Sequence, residues 1–105
     1  MLIDSQIASA AEIFARVIQI EGRGVVVGDR SSGMVMGAVH SDFVAGTSPP
    51  IPAAVSVTEE DLHMRDGKSL EHLGVEPDRT VLPLAQDLAS GRDPRLSGFR
   101  RRIGN

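Results

Sequence analysis

Ser9 is the residue best placed to do covalent chemistry, because it stands where a predicted helix begins. The first turn of a helix presents N–H groups without partners and about half a positive charge, which stabilise an alkoxide or a nearby oxyanion. The small residues Ala8, Ala10 and Ala11 leave room for a peptide backbone to approach. The N–H of Ala10 can donate a hydrogen bond to the oxyanion of a tetrahedral intermediate. The pattern is therefore compatible with a nucleophilic serine.

A purely structural interpretation of the same residues is equally simple. Ser9 can cap the helix, and Glu12, three residues later, can complete a capping box. These residues alone favour the cap over the nucleophile.

A serine nucleophile also needs a general base, and the chain offers few candidates. Lys68 is the only lysine, and it follows Asp-Gly in a turn signal that predicts a solvated side chain. The three histidines are His40, His63 and His72, and no cysteine is present. His40 precedes Asp42 by two residues, but three scattered histidines lack the spacing of zinc ligands.

The elements around Ser9 predict a strand–helix–strand unit. The apolar stretch Met1–Asp4 suits the end of a buried strand. In Ala10–Glu21 the apolar residues fit a helical stripe and indicate a helix; they are Ile13, Phe14, Val17, Ile18 and Ile20. The continuous apolar run Gly24–Gly28 is typical of a strand buried on both faces. This order belongs to a parallel sheet with a right-handed crossover.

The rest of the chain is predicted to alternate between short strands and turns, with helices near the C-terminus. Three prolines in Gly46–Pro52 exclude regular structure there. The remaining predicted elements are the strands Val35–His40, Ala53–Val57 and Asp61–Met64, an extended piece at Val81–Leu84, and the helices Ala85–Ala89 and Pro94–Arg102.

The composition bounds the possible function classes. A chain of 105 residues, 41% hydrophobic, is expected to form one small domain, and its thin supply of aromatic residues predicts modest stability. The net charge of −3 gives no reason to expect nucleic acid or an anionic membrane as a partner. The cluster Arg100–Arg102 is interpreted as a solvated tail. Residues 1–15 contain Asp4 and Glu12 and do not resemble a signal peptide or a membrane span, so the localisation stays open.

Several motifs together resemble the tail-specific (C-terminal processing) serine peptidases. They are Ser-Ala-Ala-Glu-Ile-Phe-Ala at residues 9–15, Gly-Val-Val-Val-Gly-Asp at residues 24–29, the following Ser/Gly loop, and Gly-Val-Glu-Pro-Asp at residues 74–78. The resemblance covers residues from about 2 to 95 and implies an α/β, crotonase-like (ClpP-like) fold with short C-terminal helices. It identifies residues 1–105 as the C-terminal portion of a catalytic domain, without a PDZ module. It also implies a peptide or unfolded protein as substrate, no cofactor, and relatives that are often exported in bacteria.

The resemblance implies roles for individual residues, and at one position this chain differs from the family's pattern. It makes Ser9 the nucleophile and Glu12 an assisting residue on the same helix. Where the family carries Gly-Lys-Gly, this chain has Gly33, Met34 and Val35, and a thioether cannot serve as a base.

Three explanations of the missing lysine remain open. In a branch that resembles the tricorn-type core peptidases, a histidine from the N-terminal half of the domain is the base, and Glu71 matches the branch's glutamate. Alternatively, Lys68 or one of the three histidines replaces the lysine. The third explanation is a binding-only scaffold.

A chain that holds only part of a sheet exposes an apolar edge, and such an edge pairs with other strands. We therefore expect self-association, or pairing with a missing N-terminal half.

Overall fold

The computed structural model describes residues 1–97, which form a mixed α/β structure. Its elements, in chain order, are β1 (Leu2–Ile3), α1 (Ala10–Ile20), β2 (Val27–Gly28), β3 (Gly37–Ala45), β4 (Ile51–Glu60), β5 (Arg79–Thr80) and α2 (Ala85–Ala89).

A small parallel sheet carries the helix that begins after Ser9. Its strand order is β1-β2-β5, and β2 runs parallel to both neighbours. The predicted strand–helix–strand unit is therefore confirmed, although β1 and β2 each have two paired residues rather than four or five. Gly28 has φ 135°, and a Cβ there would lie 1.9 Å from the carbonyl oxygen of Ile3, so only glycine allows β1 and β2 to approach this closely.

The core lies between α1 and this sheet and is built from small aliphatic side chains. Its buried members are Ile3, Ala15, Val26, Val35, Leu70 and Val75. The predicted apolar stripe of α1 is only partly correct, because Phe14 is 60% and Val17 41% exposed. The helix instead turns Glu12 and Ala15 inward, since the buried carboxylate has hydrogen-bond partners there.

The strands β3 and β4 form an antiparallel hairpin that is longer than the sequence predicts. Nine residues of β3 face ten of β4, whereas the expected strands were Val35–His40 and Ala53–Val57. Pro52, expected in an irregular loop, lies within β4 opposite Val44. A two-stranded ribbon has only edge strands, and edge strands tolerate proline.

One face of the hairpin is apolar and exposed. Alternate residues of a strand point to opposite faces, and the register pairs Val39 with Val57 and Phe43 with Ala53 on one of them. Val39, Phe43 and Val57 are each about half exposed, at 49%, 50% and 48%. The radius of gyration is 18.9 Å, whereas a compact chain of this length has about 13 Å. The hairpin therefore extends from the core with an uncovered apolar face.

Of the elements predicted after the hairpin, one is absent and one is confirmed. The prediction of a strand at Asp61–Met64 is wrong, because this segment contributes only an isolated bridge from His63 to Ser69. Helix α2 is confirmed at Ala85–Ala89, and the chain is helical again over 94–97. The rest of the predicted helix Pro94–Arg102, with the arginine cluster, lies outside the described residues.

Within residues 1–97, no helix combines the length and apolar character that a membrane crossing requires.

The exposed apolar face predicts concentration-dependent association of the isolated chain. Val55→Lys places a charge on this face, whereas Ser56→Lys places the same charge on the opposite face, since neighbouring strand residues alternate. We expect the wild-type chain and Ser56→Lys to sediment above the monomer mass of 11.2 kDa at high concentration, and Val55→Lys to sediment as a monomer. Equal behaviour of the two variants, or a wild-type monomer at every concentration, would contradict this expectation.

Candidate active site

Ser9 occupies a backbone conformation that non-glycine residues rarely adopt. Its φ of 56° and ψ of −128° place it in a strained region immediately before α1. Such strain costs about 1–3 kcal/mol and persists only where the surrounding structure fixes it. The residue is exposed, and its hydroxyl makes no cap hydrogen bond. A strained serine at a helix entrance resembles the sharp turn on which hydrolases present a nucleophile.

Two acceptors hold the backbone of Ser9 in this conformation. Its N–H lies 2.8 Å from the carbonyl oxygen of Met34 and 3.0 Å from Oε2 of Glu12. One of the two hydrogen bonds of the predicted capping box is therefore present, namely the bond from the Ser9 N–H to the Glu12 carboxylate. The backbone N–H of Glu12 donates to the carbonyl oxygen of Ser9 at 2.9 Å. These hydrogen bonds hold the backbone of Ser9 without using its hydroxyl.

Glu12 is a fully buried carboxylate that accepts hydrogen bonds from several donors. Oε1 accepts from the hydroxyl of Ser31 and, at 2.7 Å, from the N–H of Gly33. Oε2 accepts from the N–H of Met34 at 3.0 Å, in addition to that of Ser9. Burial raises the pKa of Glu12, but the hydrogen bonds from Ser31 and the three backbone N–H groups outweigh burial and hold its pKa below the ordinary value. The carboxylate thus ties the start of α1 to the loop after β2.

Ser31 connects this carboxylate to the distant Gly-Val-Glu-Pro-Asp turn, and sequence reasoning missed it. The Ser31 hydroxyl donates to Glu12 and accepts from the N–H of Val75 at 2.6 Å. Its own N–H donates to the carbonyl oxygen of Val75 at 3.2 Å. Gly74 allows this approach, because a Cβ there would lie 2.4 Å from the Ser31 carbonyl oxygen. The sequence indicates only a polar loop here, and nothing in it distinguishes the role of Ser31 from that of Ser32.

Asp78, at the end of that turn, fixes the turn to the parallel sheet and to α1. Oδ2 accepts from the N–H of Val26 at 2.7 Å, and Oδ1 accepts from the side-chain amide of Gln19 at 3.1 Å. The same amide donates to the carbonyl oxygen of Glu76 at 2.8 Å. The motif at residues 9–15 and the turn at residues 74–78 are therefore parts of one hydrogen-bonded unit.

Glu71 lies against the segment that follows Met34. Oε2 of Glu71 accepts from the N–H groups of Val35 at 2.7 Å and Met36 at 3.1 Å. The neighbouring His72 has a positive φ of 61°, and its N–H donates to the carbonyl oxygen of Gly33 at 2.8 Å. Within residues 1–97, Glu71 makes no hydrogen bond to Ser9, and the two are connected through the backbone of Met34 and Val35.

The candidate bases have exposed side chains that are engaged elsewhere or solvated. His63 contacts Asp61 at 3.1 Å, the His72 ring is 89% exposed, and His40 is on the exposed hairpin. Lys68 is in an exposed turn. In the part of the chain that the structure describes, no lysine or histidine hydrogen-bonds to Ser9, and no three acidic or histidine side chains converge on a common point as metal ligands would.

Ala10 is the first residue of α1 and is exposed beside Ser9. Its N–H has no acceptor among residues 1–97, as expected for the first turn of a helix. This N–H was predicted from the sequence to donate a hydrogen bond to an oxyanion, and its position next to Ser9 is compatible with that role.

The hydrogen bonds to Glu12 predict acid-sensitive stability. Because the folded-state pKa is depressed, the stabilisation is complete above the unfolded-state value, near 4.5, and is lost as the pH falls through the lower folded-state value. Glu12→Gln should cost about 1–3 kcal/mol of unfolding free energy at pH 7, since an amide cannot accept every one of these donors. Urea unfolding at pH 7 and pH 3.5 measures both effects.

Glu59→Gln is the matched control for this measurement, because Glu59 is exposed near the end of β4 and its carboxylate makes no hydrogen bond or ion pair among residues 1–97. It should unfold like the wild type at both pH values. If the unfolding free energy of Glu12→Gln depended on pH as steeply as that of the wild type, Glu12 would not be the ionised group that holds the site.

Comparisons with known proteins place this arrangement in a family. The sequence pattern of peptidase family S41 matches residues 1–81. A putative tricorn-like protease C-terminal subunit from Sulfurisphaera tokodaii is 36% identical over 89 residues, which cover 84% of this chain and 10% of that protein. The chain therefore spans about a tenth of the length of this curated relative.

Two solved structures of larger proteins contain the same fold. The tricorn protease superimposes with a TM-score of 0.79 over 97% of this chain and 10% of its own, at 22% identity. Mature CPAF complexed with lactacystin gives a TM-score of 0.73 over 97% of this chain and 18% of its own, at 24% identity. Both superpositions include nearly the whole chain, and the family pattern covers the motif at residues 9–15 and the turn at residues 74–78. The chain belongs to peptidase family S41 and is similar to its tricorn-like members.

Proposed function

We propose that this chain carries the nucleophile segment of a serine peptidase and forms the C-terminal portion of a crotonase-like catalytic domain. The observation that carries the proposal is the strained, exposed Ser9 at the start of α1, whose hydroxyl makes no cap hydrogen bond. Membership of the S41 family supports the same role. A serine that merely capped the helix would bond its hydroxyl to the first turn and would need no strained backbone.

The proposed reaction is peptide-bond hydrolysis through an acyl-enzyme. Oγ of Ser9 attacks the carbonyl carbon while its proton passes to a general base. The negative charge that develops on the carbonyl oxygen is stabilised by the N–H of Ala10 and by the positive end of α1. The C–N bond breaks, the amine leaves with a proton, and water hydrolyses the ester on Ser9.

Glu12 and Glu71 would fix the geometry of this site rather than react. Glu12 holds the N–H of Ser9, and Glu71 holds the chain on the far side of Met34. Oε1 of Glu71 lies 4.0 Å from the exposed ring of His72 and accepts no backbone N–H among residues 1–97. This oxygen is available to orient a histidine base from another part of the catalytic domain, as in the tricorn-type explanation.

A binding-only scaffold is the second candidate function. The observation that favours it is Met34, whose thioether is 65% exposed where relatives carry the dyad lysine. Such a scaffold would keep the peptide-binding surface beside Ser9 without hydrolysing its ligand.

Chemical rescue distinguishes the two functions. The chain is incubated with a fluorophosphonate, with and without imidazole as an external base, and labelling is followed by intact mass and peptide mapping. We expect labelling at Ser9 that imidazole accelerates several-fold, because the helix entrance activates the hydroxyl and only the base is lacking. Ser9→Ala should abolish labelling, and Ser5→Ala, in the exposed turn before α1, should not change it.

Labelling that survives Ser9→Ala would remove Ser9 from the nucleophile role. Absence of labelling even with imidazole would favour the binding-only scaffold.

A further inference from the structure

We propose that Met34 and Met36 form an apolar ledge that binds a nonpolar side chain of a peptide next to the bond that Ser9 attacks. This inference rests on the proposed function, because the peptide is the substrate of that site. It gives the methionine at the family's lysine position a role in substrate recognition.

The exposure of three consecutive residues defines the ledge. Met34 is 65% exposed, Val35 is 3% exposed in the core, and Met36 is 41% exposed. Because Val35 points into the core, the two thioether side chains lie on the outer side of the segment. The carbonyl oxygen of Met34 accepts the N–H of Ser9 at 2.8 Å, so the ledge adjoins the candidate nucleophile directly.

The backbone beneath the two methionines is firmly held. Glu12 accepts the N–H of Met34 at 3.0 Å, and Glu71 accepts that of Met36 at 3.1 Å. Glu71 also accepts the N–H of the intervening Val35. Two carboxylates thus fix three successive residues, which leaves only the methionine side chains free to adapt.

The chemistry of the ledge selects the ligand class. Methionine is unbranched and polarisable, so it adapts to apolar groups of different shape. A charged side chain placed on the thioethers would lose water without gaining a partner. An aliphatic or aromatic residue is therefore the expected occupant, and an acidic residue is excluded.

Methyl NMR tests the ledge without requiring catalysis. The chain has four methionines, Met1, Met34, Met36 and Met64, and ¹³C-methyl labelling gives each one a signal that Met→Leu variants assign. The chain is titrated with a blocked pentapeptide that has leucine between pairs of alanines, and with matched peptides that have glutamate or lysine at the centre.

We expect the leucine peptide to shift the Met34 and Met36 methyl signals, with an apparent affinity at least several-fold above that of the glutamate peptide. Met1 and Met64 pack against the core and should not respond. The double variant Met34→Gln, Met36→Gln keeps the side-chain size, and because both side chains are exposed it should fold normally and lose the preference for leucine. Unshifted Met34 and Met36 signals, equal shifts with the glutamate peptide, or equal shifts at Met1 and Met64 would overturn the ledge.

Ser9→Ala separates this inference from the proposed function. The shifts should persist in that variant, because the ledge does not use the hydroxyl. Methyl shifts without fluorophosphonate labelling would refute the peptidase and keep the ledge, whereas labelling without shifts would refute the ledge alone.

Discussion

The buried carboxylate of Glu12 is the interaction on which the rest of the structure depends. A charged group without solvent contact is tolerated only when donors surround it, and here a serine hydroxyl and three backbone N–H groups do so. These donors come from the start of α1 and from the loop after β2. Satisfying one carboxylate therefore fixes the relative position of both segments, and the strained backbone of Ser9 is a consequence.

The same network reaches the Gly-Val-Glu-Pro-Asp turn through Ser31 and Asp78. Ser31 bonds to Val75, and Asp78 bonds to Val26, the residue before β2, and to Gln19 of α1. The motifs at residues 9–15 and 74–78, which are far apart in the sequence, thus belong to one structural unit. Their joint presence in the chain has a physical reason: the turn supports the carboxylate that positions the serine.

The sequence predicted the elements whose signals are local. Helix α1, its start after Ser9 and the parallel pairing of β1 with β2 follow from apolar periodicity and from the order of the elements. The long hairpin was predicted too short, because three prolines in Gly46–Pro52 argued against a strand there, whereas Pro52 lies in an edge strand, which tolerates proline. Ser31 was missed because its role depends on contacts with Glu12 and Val75, which are distant in sequence. Periodicity assigned Phe14 to the apolar stripe of α1, but the side chain is exposed, because Glu12 and Ala15 occupy the side of the helix that faces inward.

The crystal structure of the Glu12→Gln variant, compared with that of the wild-type chain, tests most directly whether this carboxylate sets the conformation of the serine. Ser9 should keep φ near 56° in the wild type and relax to a negative φ in the variant, with the loop at 31–34 moved away from α1. An unchanged Ser9 conformation in the variant would contradict this prediction, because the strain would then have another cause.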